Sequence, residues 1–343
     1  MNPTKKDYCD CLSDRVLQLI VMPTEACNFR CVYCYEEFAH GRMEARVVRG
    51  VKNLLSTRAP TLDSLTLSWF GGEPLLARDI IEDILVHVQT LVKENPNLHL
   101  FSDITTNAYL LSQPLFKRLV DFGVSQYQIP LDGPAELHDR KRFLANGRGT
   151  FEKIWGNLLA MREVEKDFTI IVRLHVDKEN FVTLPDLIEV YGRTFGHDPR
   201  FKLFPRRISH LGGPNDADLP VFEDKEGRRA EVALRHRAEK QRIEYIPSTR
   251  LAKICYAAHA NSLVVRSDGR LNKCTVALEE PMNQVGTIEE TGRLRLETPR
   301  MRGWIRGLAS GSFNELECPM HGYAPGANAR IGALSSNFSF TAE

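Results

Sequence analysis

The sequence predicts an α/β fold, a partial (β/α)6 TIM-like barrel followed by a small C-terminal α+β domain. Between residues 15 and 210, six short β-rich runs alternate with amphipathic helical stretches, which is the pattern of parallel βα units. Gly, Asn and Asp recur directly after the predicted strands, where parallel α/β barrels place their active-site loops. After residue 210 the pattern changes to loops, a charged helix and short strands.

The predicted strands are rich in β-branched and aromatic residues, and turn residues separate them from the helices. They cover residues 16–22, 65–70, 99–105, 126–131, 168–176 and 201–204. The predicted helices have apolar residues at helical spacing and cover residues 46–58, 79–94, 113–122, 151–166 and 184–195. Six βα units form about three quarters of an eight-unit barrel. We therefore expect a lateral opening that admits a substrate larger than a metabolite.

The same changes of pattern predict four parts of the chain. These are an N-terminal arm at 1–14, the barrel at 15–210, a bridging loop and helix at 211–249, and an auxiliary domain with a C-terminal tail at 250–343. Two cysteines in the arm, Cys9 and Cys11, match no motif, so we expect free thiols on a flexible segment. Residues 261–273 predict a β-hairpin with its turn at Ser267-Asp268-Gly269-Arg270.

Charge and hydropathy exclude several classes of partner. The 343 residues are 43% hydrophobic and 26% charged, and the formal net charge is +1, so neither nucleic acid nor an anionic membrane is indicated. The first residues lack the apolar region of a signal peptide, and the longest apolar runs are too short to span a bilayer. We expect a cytoplasmic protein in a reducing compartment, where thiols stay free.

Three cysteines lie within eight residues, at Cys27, Cys31 and Cys34, in the spacing C-x3-C-x2-C. Three thiolates on one short loop can bind three irons of a [4Fe–4S] cluster and leave the fourth iron without a protein ligand. A structural zinc site usually combines two C-x2-C pairs and has four ligands, and a disulfide framework requires an oxidising compartment. The spacing therefore favours a cluster with one open iron.

This cysteine spacing, with an aromatic residue (Tyr33) before the last cysteine, resembles the radical S-adenosylmethionine (SAM) superfamily. In that superfamily the open iron binds the amino and carboxylate groups of SAM. One electron from the cluster cleaves SAM to a 5′-deoxyadenosyl radical, which abstracts hydrogen from the substrate. The resemblance implies an enzyme with a SAM-binding [4Fe–4S] cluster, SAM, and an electron donor such as flavodoxin or ferredoxin.

The segment Gly71-Gly72-Glu73-Pro74, directly after the second predicted strand, resembles the superfamily motif that binds the SAM amino group. Two glycines allow the backbone to approach a ligand closely, and a neighbouring carboxylate can bind an ammonium group. The alternative is a tight turn with an exposed acid. The position after a strand and after the cysteine loop favours SAM binding by Gly71, Gly72 and Glu73.

Residues 128–139, together with Arg142 and residues 149–151, resemble the barrel of radical SAM enzymes that carry SPASM or twitch extensions. That subgroup includes anaerobic sulfatase maturases and enzymes that modify ribosomally made peptides. The resemblance implies that Arg142 approaches the SAM carboxylate, and a surface salt bridge is the alternative. Pro130 stands where the family often has Ser, so a hydroxyl contact to SAM is either lost or supplied by another residue.

Two further segments resemble the family at strand ends. Thr106-Asn107-Ala108 is similar to the family's Thr-Asn-Gly turn. Arg173, His175 and Asn180 lie at a strand end where other members contact the ribose or the carboxylate of SAM. Asn107 and Arg173 are therefore expected to bind the cofactor, although a capping or buried polar role is equally open for each segment.

A second set of cysteines implies an auxiliary cluster. The spacing of Cys255, Gly269 and Cys274 matches the start of SPASM and twitch domains. Full SPASM domains hold two auxiliary clusters, but Cys318 is the last cysteine of the chain, which excludes two complete ones. We expect one auxiliary [4Fe–4S] cluster on the three cysteines, its fourth iron bound by His321 or open. Plain buried thiols are the alternative.

Four residues are weaker candidates for the remaining roles. Asp132, at the end of the fourth predicted strand, is one candidate for a catalytic base, and Tyr256, beside the auxiliary cysteine, is another. His210 and His259 are lower-ranked candidates for the fourth auxiliary ligand.

Two classes of substrate remain in contention. In sulfatase maturases, an Asp that acts as a base immediately follows the cysteine equivalent to Cys274. Thr275 occupies that position here and disfavours that activity. The lateral opening and the family favour crosslinking, epimerisation or excision in a ribosomally synthesised peptide, which a separate leader-binding partner could present. The alternative is a twitch-type dehydrogenase or mutase acting on a small metabolite such as an aminocyclitol or sugar. The intact SAM-site residues disfavour a non-enzymatic scaffold.

Overall fold

Two compact units make up the chain in the computed structural model, which describes residues 3–246 and 254–320. The terminal unit consists of Met1–Ala26, Phe38–Ser102 and Thr249–Glu343. The central unit consists of Cys27–Glu37 and Asp103–Ser248, so it contains the loop with the first three motif cysteines. The four-part division inferred from sequence stays a prediction.

Helices separate the strands through residue 245, and the last four strands follow one another without an α-helix between them. The strands are β1 Val16–Val21, β2 Ser64–Trp69, β3 His99–Thr105, β4 Val124–Leu131, β5 Thr169–Val176, β6 Phe201–Arg207, β7 Glu244–Tyr245, β8 Ser262–Val265, β9 Arg270–Asn272, β10 Gln284–Ile288 and β11 Leu294–Leu296. The α-helices are α1 Lys5–Leu12, α2 Ala45–Arg58, α3 Arg78–Glu94, α4 Gln113–Asp121, α5 Ala135–Lys141, α6 Phe151–Arg162, α7 Leu184–Phe195, α8 Asp224–Lys240, α9 Thr298–Trp304, α10 Arg306–Ser310 and α11 Phe313–Glu317.

In the terminal unit, β1 pairs in parallel with β2 on one side and with β8 on the other. Strands β8, β9 and β10 then pair antiparallel in turn, and β11 pairs antiparallel with β10. The β8–β9 pair is the hairpin predicted at residues 261–273, and its turn residue Gly269 has φ +90°, which glycine adopts without a Cβ penalty. The C-terminal hairpin thus continues the sheet that begins with β1.

In the central unit, β4, β5, β6 and β7 pair in parallel in that order. The β5–β6 register runs from Ile170 opposite Phe201 to Val176 opposite Arg207. Apolar side chains such as Ile129, Val172 and Leu203 are buried in these strands. Parallel strands separated by helices confirm the predicted α/β fold class.

Two predicted boundaries move by three residues or more in the structure. Strand β6 continues through Pro205 to Arg207, three residues beyond the predicted end, because it pairs with β5 along its whole length. Proline is unusual inside a strand, so the sequence pattern stops too early there. Helix α6 ends at Arg162 rather than at residue 166, and Arg200 donates to the carbonyl oxygens of Arg162 and Val164 beyond that end.

The N-terminal segment is a helix, so the expectation of a flexible arm is wrong. Helix α1 begins with a capping box between Thr4 and Asp7, which satisfies backbone N–H groups of the first turn. Cys11 is only 1% exposed and packs against Ile254, Ala258 and Leu316. Both cysteines of the segment are free thiols, as predicted. Within residues 3–246 and 254–320, every helix is too short or too polar to cross a bilayer.

Candidate functional site

The cysteine loop of the central unit is held by backbone contacts on two sides. Arg30 N–H donates to Phe143 O at 2.8 Å and Val32 N–H to Lys141 O at 3.0 Å, at the end of α5. The Asn215 side-chain amide donates to Val32 O at 3.0 Å. The three cysteines of the loop form no disulfide and are partly exposed. The chain therefore presents three thiols on a loop whose path is fixed by its neighbours.

The surroundings of Cys31 and Cys34 favour their protonated thiols until a metal binds. Burial raises the pKa of Cys34 to about 12, and the charge of Glu36 adds to the effect. Burial also raises the pKa of Cys31, against the opposing effect of Arg142. A bound metal ion deprotonates a coordinating thiol outright. Iron binding would therefore convert these thiols to thiolates.

The number of thiols on the loop matches the ligands of an open-iron cluster. Across the described ranges, no group of three or more His, Cys, Asp or Glu side chains is arranged to hold one metal ion. A [4Fe–4S] cube has a separate iron for each cysteine, so its ligands lie farther apart than those of a single ion. Three cysteines on one loop equal in number the three corners of such a cube that take protein ligands.

Tyr33 connects the cysteine loop to the ends of β4 and β5. Its hydroxyl donates to Asp132 Oδ2 at 2.6 Å and accepts from Arg142 Nη1 at 2.7 Å. The phenol oxygen also lies 2.8 Å from His175 Nδ1, which donates to Asp132 Oδ1 at 3.0 Å. Because a carboxylate only accepts, this contact places the proton of His175 on Nδ1. The sequence-predicted residues Tyr33, Asp132 and Arg142 thus meet in one hydrogen-bonded group.

Asp132 is ionised and His175 is neutral in this group. Burial alone would raise the pKa of Asp132, but the hydrogen bond from His175 and the charges of His175 and Arg142 hold it well below its usual range. Burial, with the charge of Arg173, lowers the pKa of His175 to about 4. Both groups are unprotonated at neutral pH, and their lowered pKa values make each of them a weak base there.

His138, on α5, positions two of these residues and was given no role from the sequence. The Asp132 backbone N–H donates to His138 Nδ1 at 3.3 Å, so the ring proton lies on Nε2, which is 3.1 Å from Thr150 Oγ1. Thr150 Oγ1 in turn donates to Arg142 O at 2.6 Å. Burial lowers the pKa of His138 to about 4, which keeps the ring neutral. His138 therefore links the backbone at Asp132 to the backbone at Arg142.

Two arginines of the central unit have donors without a partner. The Nε atoms of Arg142 and Arg173 are buried and make no hydrogen bond within the described residues. Arg142 also lies 5.7 Å from the ring centroid of Phe29. A buried guanidinium donor without a partner is costly. These two atoms fit an anionic group bound beside the cysteine loop, as the carboxylate of SAM would be.

Asn107 holds the start of the cysteine loop. Its Nδ2 donates to Asn28 Oδ1 at 2.8 Å, and its Oδ1 accepts from the Tyr109 N–H at 3.0 Å. The next residue, Ala108, has φ +58°, a left-handed conformation that favours glycine. Asn107 therefore positions the residue next to Cys27.

In the terminal unit, Gly71 and Gly72 lie against the backbone that leads into the cysteine loop. A Cβ on Gly71 would lie 2.3 Å from Thr24 O, and one on Gly72 would lie 2.6 Å from Ala26 O. Glu73 N–H donates to Ala26 O at 3.0 Å. The Glu73 side chain is fully buried and accepts from the Leu75 N–H at 3.0 Å. The two glycines thus allow close backbone packing just before Cys27, and Glu73 is a buried carboxylate rather than an exposed acid.

The predicted auxiliary cysteines come together in the terminal unit. Burial raises the pKa of Cys255, and the neighbouring Cys274 and Cys318 raise it further, so the three thiols lie within electrostatic range of one another. Cys255 N–H donates to Leu316 O at 2.8 Å, next to the turn that carries Cys318. The fourth predicted ligand, His321, lies outside the described residues.

Asn283 fixes the loop around Cys274 and was missed from the sequence. Its Oδ1 accepts from the Lys273 and Cys274 N–H groups, both at 2.9 Å. Its Nδ2 donates to Cys274 O at 2.8 Å and to Ala277 O at 2.7 Å. Since Asn283 is nine residues away in the chain, only the folded hairpin reveals its role.

The two weaker candidates for a base differ in their surroundings. The Tyr256 hydroxyl is 2.9 Å from Thr275 Oγ1 and accepts from the Thr275 N–H at 2.8 Å. Burial raises the pKa of Tyr256 well above its usual value. These contacts favour a structural role for Tyr256, whereas Asp132 is ionised and lies beside the cysteine loop.

Comparison with known proteins agrees with this site. The radical SAM superfamily model matches residues 21–190. The chain is 28% identical over 178 residues to a cysteine-type anaerobic sulfatase-maturating enzyme of Clostridium novyi, an alignment that covers 47% of this chain and 46% of that enzyme. It is 26% identical over 300 residues to a probable GTP 3′,8-cyclase of Archaeoglobus fulgidus, covering 84% of this chain and 95% of that protein.

Solved structures share the fold. The structure of anSMEcpe with bound AdoMet and Cp18Cys peptide superimposes with a TM-score of 0.64 and 18% identity, covering 84% of this chain and 80% of that one. The chain spans about half the length of the sulfatase-maturating relative, at 46%. Members of the matched superfamily use a [4Fe–4S] cluster and SAM. The chain therefore contains a radical SAM domain, which covers residues 21–190.

Proposed function

We propose that this chain is a SAM-cleaving radical enzyme that abstracts hydrogen from a peptide and so modifies a ribosomally synthesised peptide after translation. The observation that carries the proposal lies in the central unit, where three cysteines on one loop lie beside the hydrogen-bonded group of Tyr33, Asp132 and Arg142. When bound, the cluster supplies the electron that cleaves SAM to a 5′-deoxyadenosyl radical. The residues of the chain bind, orient and shield the reactants.

Each residue of the site has a role in this proposal. Cys27, Cys31 and Cys34 would bind three irons of the cluster. Arg142, whose Nε is buried without a partner, would bind the SAM carboxylate. The buried carboxylate of Glu73, with the backbone of Gly71 and Gly72, would bind the SAM amino group. Asn107 would hold the loop in the binding geometry through Asn28.

Tyr33 and Asp132 have a second task in this proposal. Asp132 is ionised, and the Tyr33 hydroxyl donates to it at 2.6 Å. We propose that Asp132 orients Tyr33 beside the cysteine loop, because a carboxylate whose pKa lies well below its usual range is a poor proton acceptor near neutral pH.

We also propose one auxiliary [4Fe–4S] cluster on Cys255, Cys274 and Cys318. Its support is the electrostatic proximity of the three thiols and the hydrogen bonds of Asn283 that hold the Cys274 loop. Such a cluster would accept the electron left when the substrate radical loses a proton. The His321 ligand remains part of this proposal.

A peptide is the favoured substrate because of the relatives. The solved structure with the same fold contains a bound peptide, and the sulfatase-maturating relative acts on a protein by its name. Thr275 follows Cys274 directly, which disfavours the sulfatase-maturating reaction for this chain. We therefore propose a different peptide modification, a crosslink, an epimerisation or an excision.

A small metabolite is the second candidate. The probable GTP 3′,8-cyclase relative aligns along 95% of its own length, which is far more than the sulfatase-maturating relative does. By analogy with that relative, the substrate would be a nucleotide or another phosphorylated metabolite. The two candidates predict different hydrogen donors.

Deuterium transfer from substrate to 5′-deoxyadenosine separates the candidates. The anaerobically reconstituted enzyme would be incubated with SAM, a reductant, and either a deuterated short peptide encoded beside the gene or deuterated GTP. We expect deuterium in 5′-deoxyadenosine and a mass change in the peptide, and neither with GTP. Transfer from GTP alone would replace the peptide proposal with the metabolite one.

A further inference from the structure

Glu25, two residues before Cys27, is held by the turn of the β8–β9 hairpin. Its carboxylate accepts from Arg266 Nε at 3.2 Å, from Arg266 Nη2, and from the Ser267 hydroxyl at 3.0 Å. Both members of the ion pair are buried, with Glu25 3% and Arg266 1% exposed. Two parallel bonds between a guanidinium and a carboxylate fix their relative orientation as well as their distance. The hairpin turn therefore holds the Glu25 side chain in one place.

The backbone around Glu25 packs against the turn that is proposed to bind the SAM amino group. A Cβ on Gly72 would lie 2.6 Å from Glu25 O, so the two backbones are in direct contact. Glu73 N–H donates to Ala26 O at 3.0 Å, and Glu25 N–H donates to Gly41 O at 3.1 Å. A displacement of Glu25 would therefore move this SAM-binding turn.

Arg266 also contacts the auxiliary loop, which comprises residues 274–279. Its Nη1 donates to Leu278 O at 3.0 Å, and its Nη2 donates to Glu279 Oε1 at 2.6 Å. The guanidinium group has five N–H donors in a rigid, planar arrangement, so bonds on one side restrict the positions available on the other. One buried side chain thus bonds to the auxiliary loop and to Glu25 at the same time.

We propose that Arg266 is a positioning residue that couples the auxiliary loop to the SAM-binding turn at Gly72 and Glu73. Burying two charges costs desolvation, and apolar residues of similar volume often stabilise a protein as well as a buried ion pair does. The bonds of Arg266 instead fix the geometry of the segments that they join. The inference rests on the proposed function, because it links two sites that the proposed function assigns.

The coupling acts through the position of Cys274. This cysteine, once it binds iron, would fix the start of the auxiliary loop, and the loop supplies two of the acceptors of Arg266. With the auxiliary site empty, Arg266 would hold Glu25 less firmly against the SAM-binding turn. Loss of the auxiliary cluster should therefore weaken SAM binding. Because energetic coupling is reciprocal, SAM binding should also favour the ordered auxiliary loop.

Calorimetric titration of the full-length, anaerobically reconstituted enzyme with SAM tests the coupling in a double-mutant cycle. Cys274→Ala removes a proposed cluster ligand, and Glu25→Gln removes the charge that Arg266 binds while keeping the side-chain volume. We expect each change alone to weaken SAM binding about fivefold or more, and the double variant to bind SAM less than about twofold more weakly than either, because both changes break one connection. Arg266→Lys, which keeps the charge but loses the planar fork, should retain part of the affinity. Glu290→Gln is the matched control, because Glu290 pairs with Arg49 at the surface of the same unit.

Two results would overturn the coupling. These are a SAM affinity in either single variant equal to that of the wild type, and losses that add in the double variant. If Glu25→Gln does not fold, as judged by circular dichroism, Arg266→Lys takes its place in the cycle with Cys274→Ala. Iron content and SAM affinity of the wild type are measured first. No SAM binding, or about four Fe per chain, refutes the proposed function, whereas about eight Fe with SAM binding and additive losses refutes the coupling alone.

Discussion

The phenol oxygen of Tyr33 has three polar neighbours, and each belongs to a different part of the central unit. Asp132 directly follows β4, His175 lies near the end of β5, and Arg142 directly follows α5. Hydrogen bonds to charged groups contribute about 1.5–3 kcal/mol each to stability. Tyr33 therefore couples the position of the cysteine loop to the ends of two strands and a helix.

The buried histidines make stability depend on pH. Unfolded His138 binds a proton below about pH 6.5, but the folded side chain, whose pKa burial lowers to about 4, does so only below about pH 4. Between these values the unfolded state binds more protons, so the free energy of unfolding falls as pH falls. At pH 5 we expect His138 to account for a loss of about 2 kcal/mol relative to pH 7.5.

Urea unfolding of wild type and His138→Gln at pH 7.5 and pH 5 measures this loss. The variant replaces a titrating ring by a neutral amide, so its unfolding free energy should fall less between the two pH values. His236→Gln is the matched control, because His236 is exposed on α8. Equal pH dependence in wild type and His138→Gln would contradict the assignment of a neutral, buried His138.

Residue spacing predicted the ligands of the site better than it predicted the residues that hold those ligands in place. Cys27, Cys31 and Cys34 are close in the chain, so their pattern is visible without a fold. His138 and Asn283 act through backbone groups that reach them only after folding, at Asp132 and Cys274. A lone His or Asn has many possible partners in a sequence, so no spacing rule identifies such residues.

The turn after β2 is an element whose sequence follows from close packing. Gly71 has φ +110°, and a Cβ there would lie 2.3 Å from Thr24 O, a backbone atom that cannot move aside freely. We expect Gly71→Ala to destabilise the protein by about 2–4 kcal/mol and to weaken SAM binding. The cause is displacement of the segment before Cys27.

Thermal unfolding and SAM titration of Gly71→Ala measure these two effects. Gly156→Ala is the matched control, because Gly156 lies in α6 and a Cβ there meets nothing within 4 Å. That control should stabilise the protein by about 0.5–1 kcal/mol, since alanine favours a helix over glycine. A Gly71→Ala protein as stable as the wild type would show that the close approach is unimportant.

The elements themselves followed from hydrophobic periodicity, with exceptions that have tertiary causes. Strand β3 and helix α7 have the bounds that the sequence predicted. Strand β6 extends past Pro205 because β5 pairs with it there. Helix α1 was missed because its short, charged sequence buries little except Cys11, which packs on the distant residues Ile254 and Leu316.

At the scale of the whole molecule, we expect one chain to hold two [4Fe–4S] clusters. Iron analysis of the anaerobically reconstituted protein should give about eight Fe per chain, four for each cube. Cys255→Ala should reduce the content to about four, and Cys9→Ala, the exposed-cysteine control, should leave it at about eight. Four Fe per chain in the wild type would contradict the proposed auxiliary cluster.

SAM cleavage by the reduced, reconstituted enzyme tests directly whether the loop of Cys27, Cys31 and Cys34 carries the SAM-cleaving cluster. The measurement is 5′-deoxyadenosine formed from SAM under dithionite, followed by liquid chromatography in wild type, Cys27→Ala and Cys9→Ala. We expect 5′-deoxyadenosine from the wild type and from Cys9→Ala, and none from Cys27→Ala. The two thiols left on the loop of Cys27→Ala would no longer hold an open-iron cluster. Formation of 5′-deoxyadenosine by Cys27→Ala at the wild-type rate would contradict the claim that this loop carries the SAM-cleaving cluster.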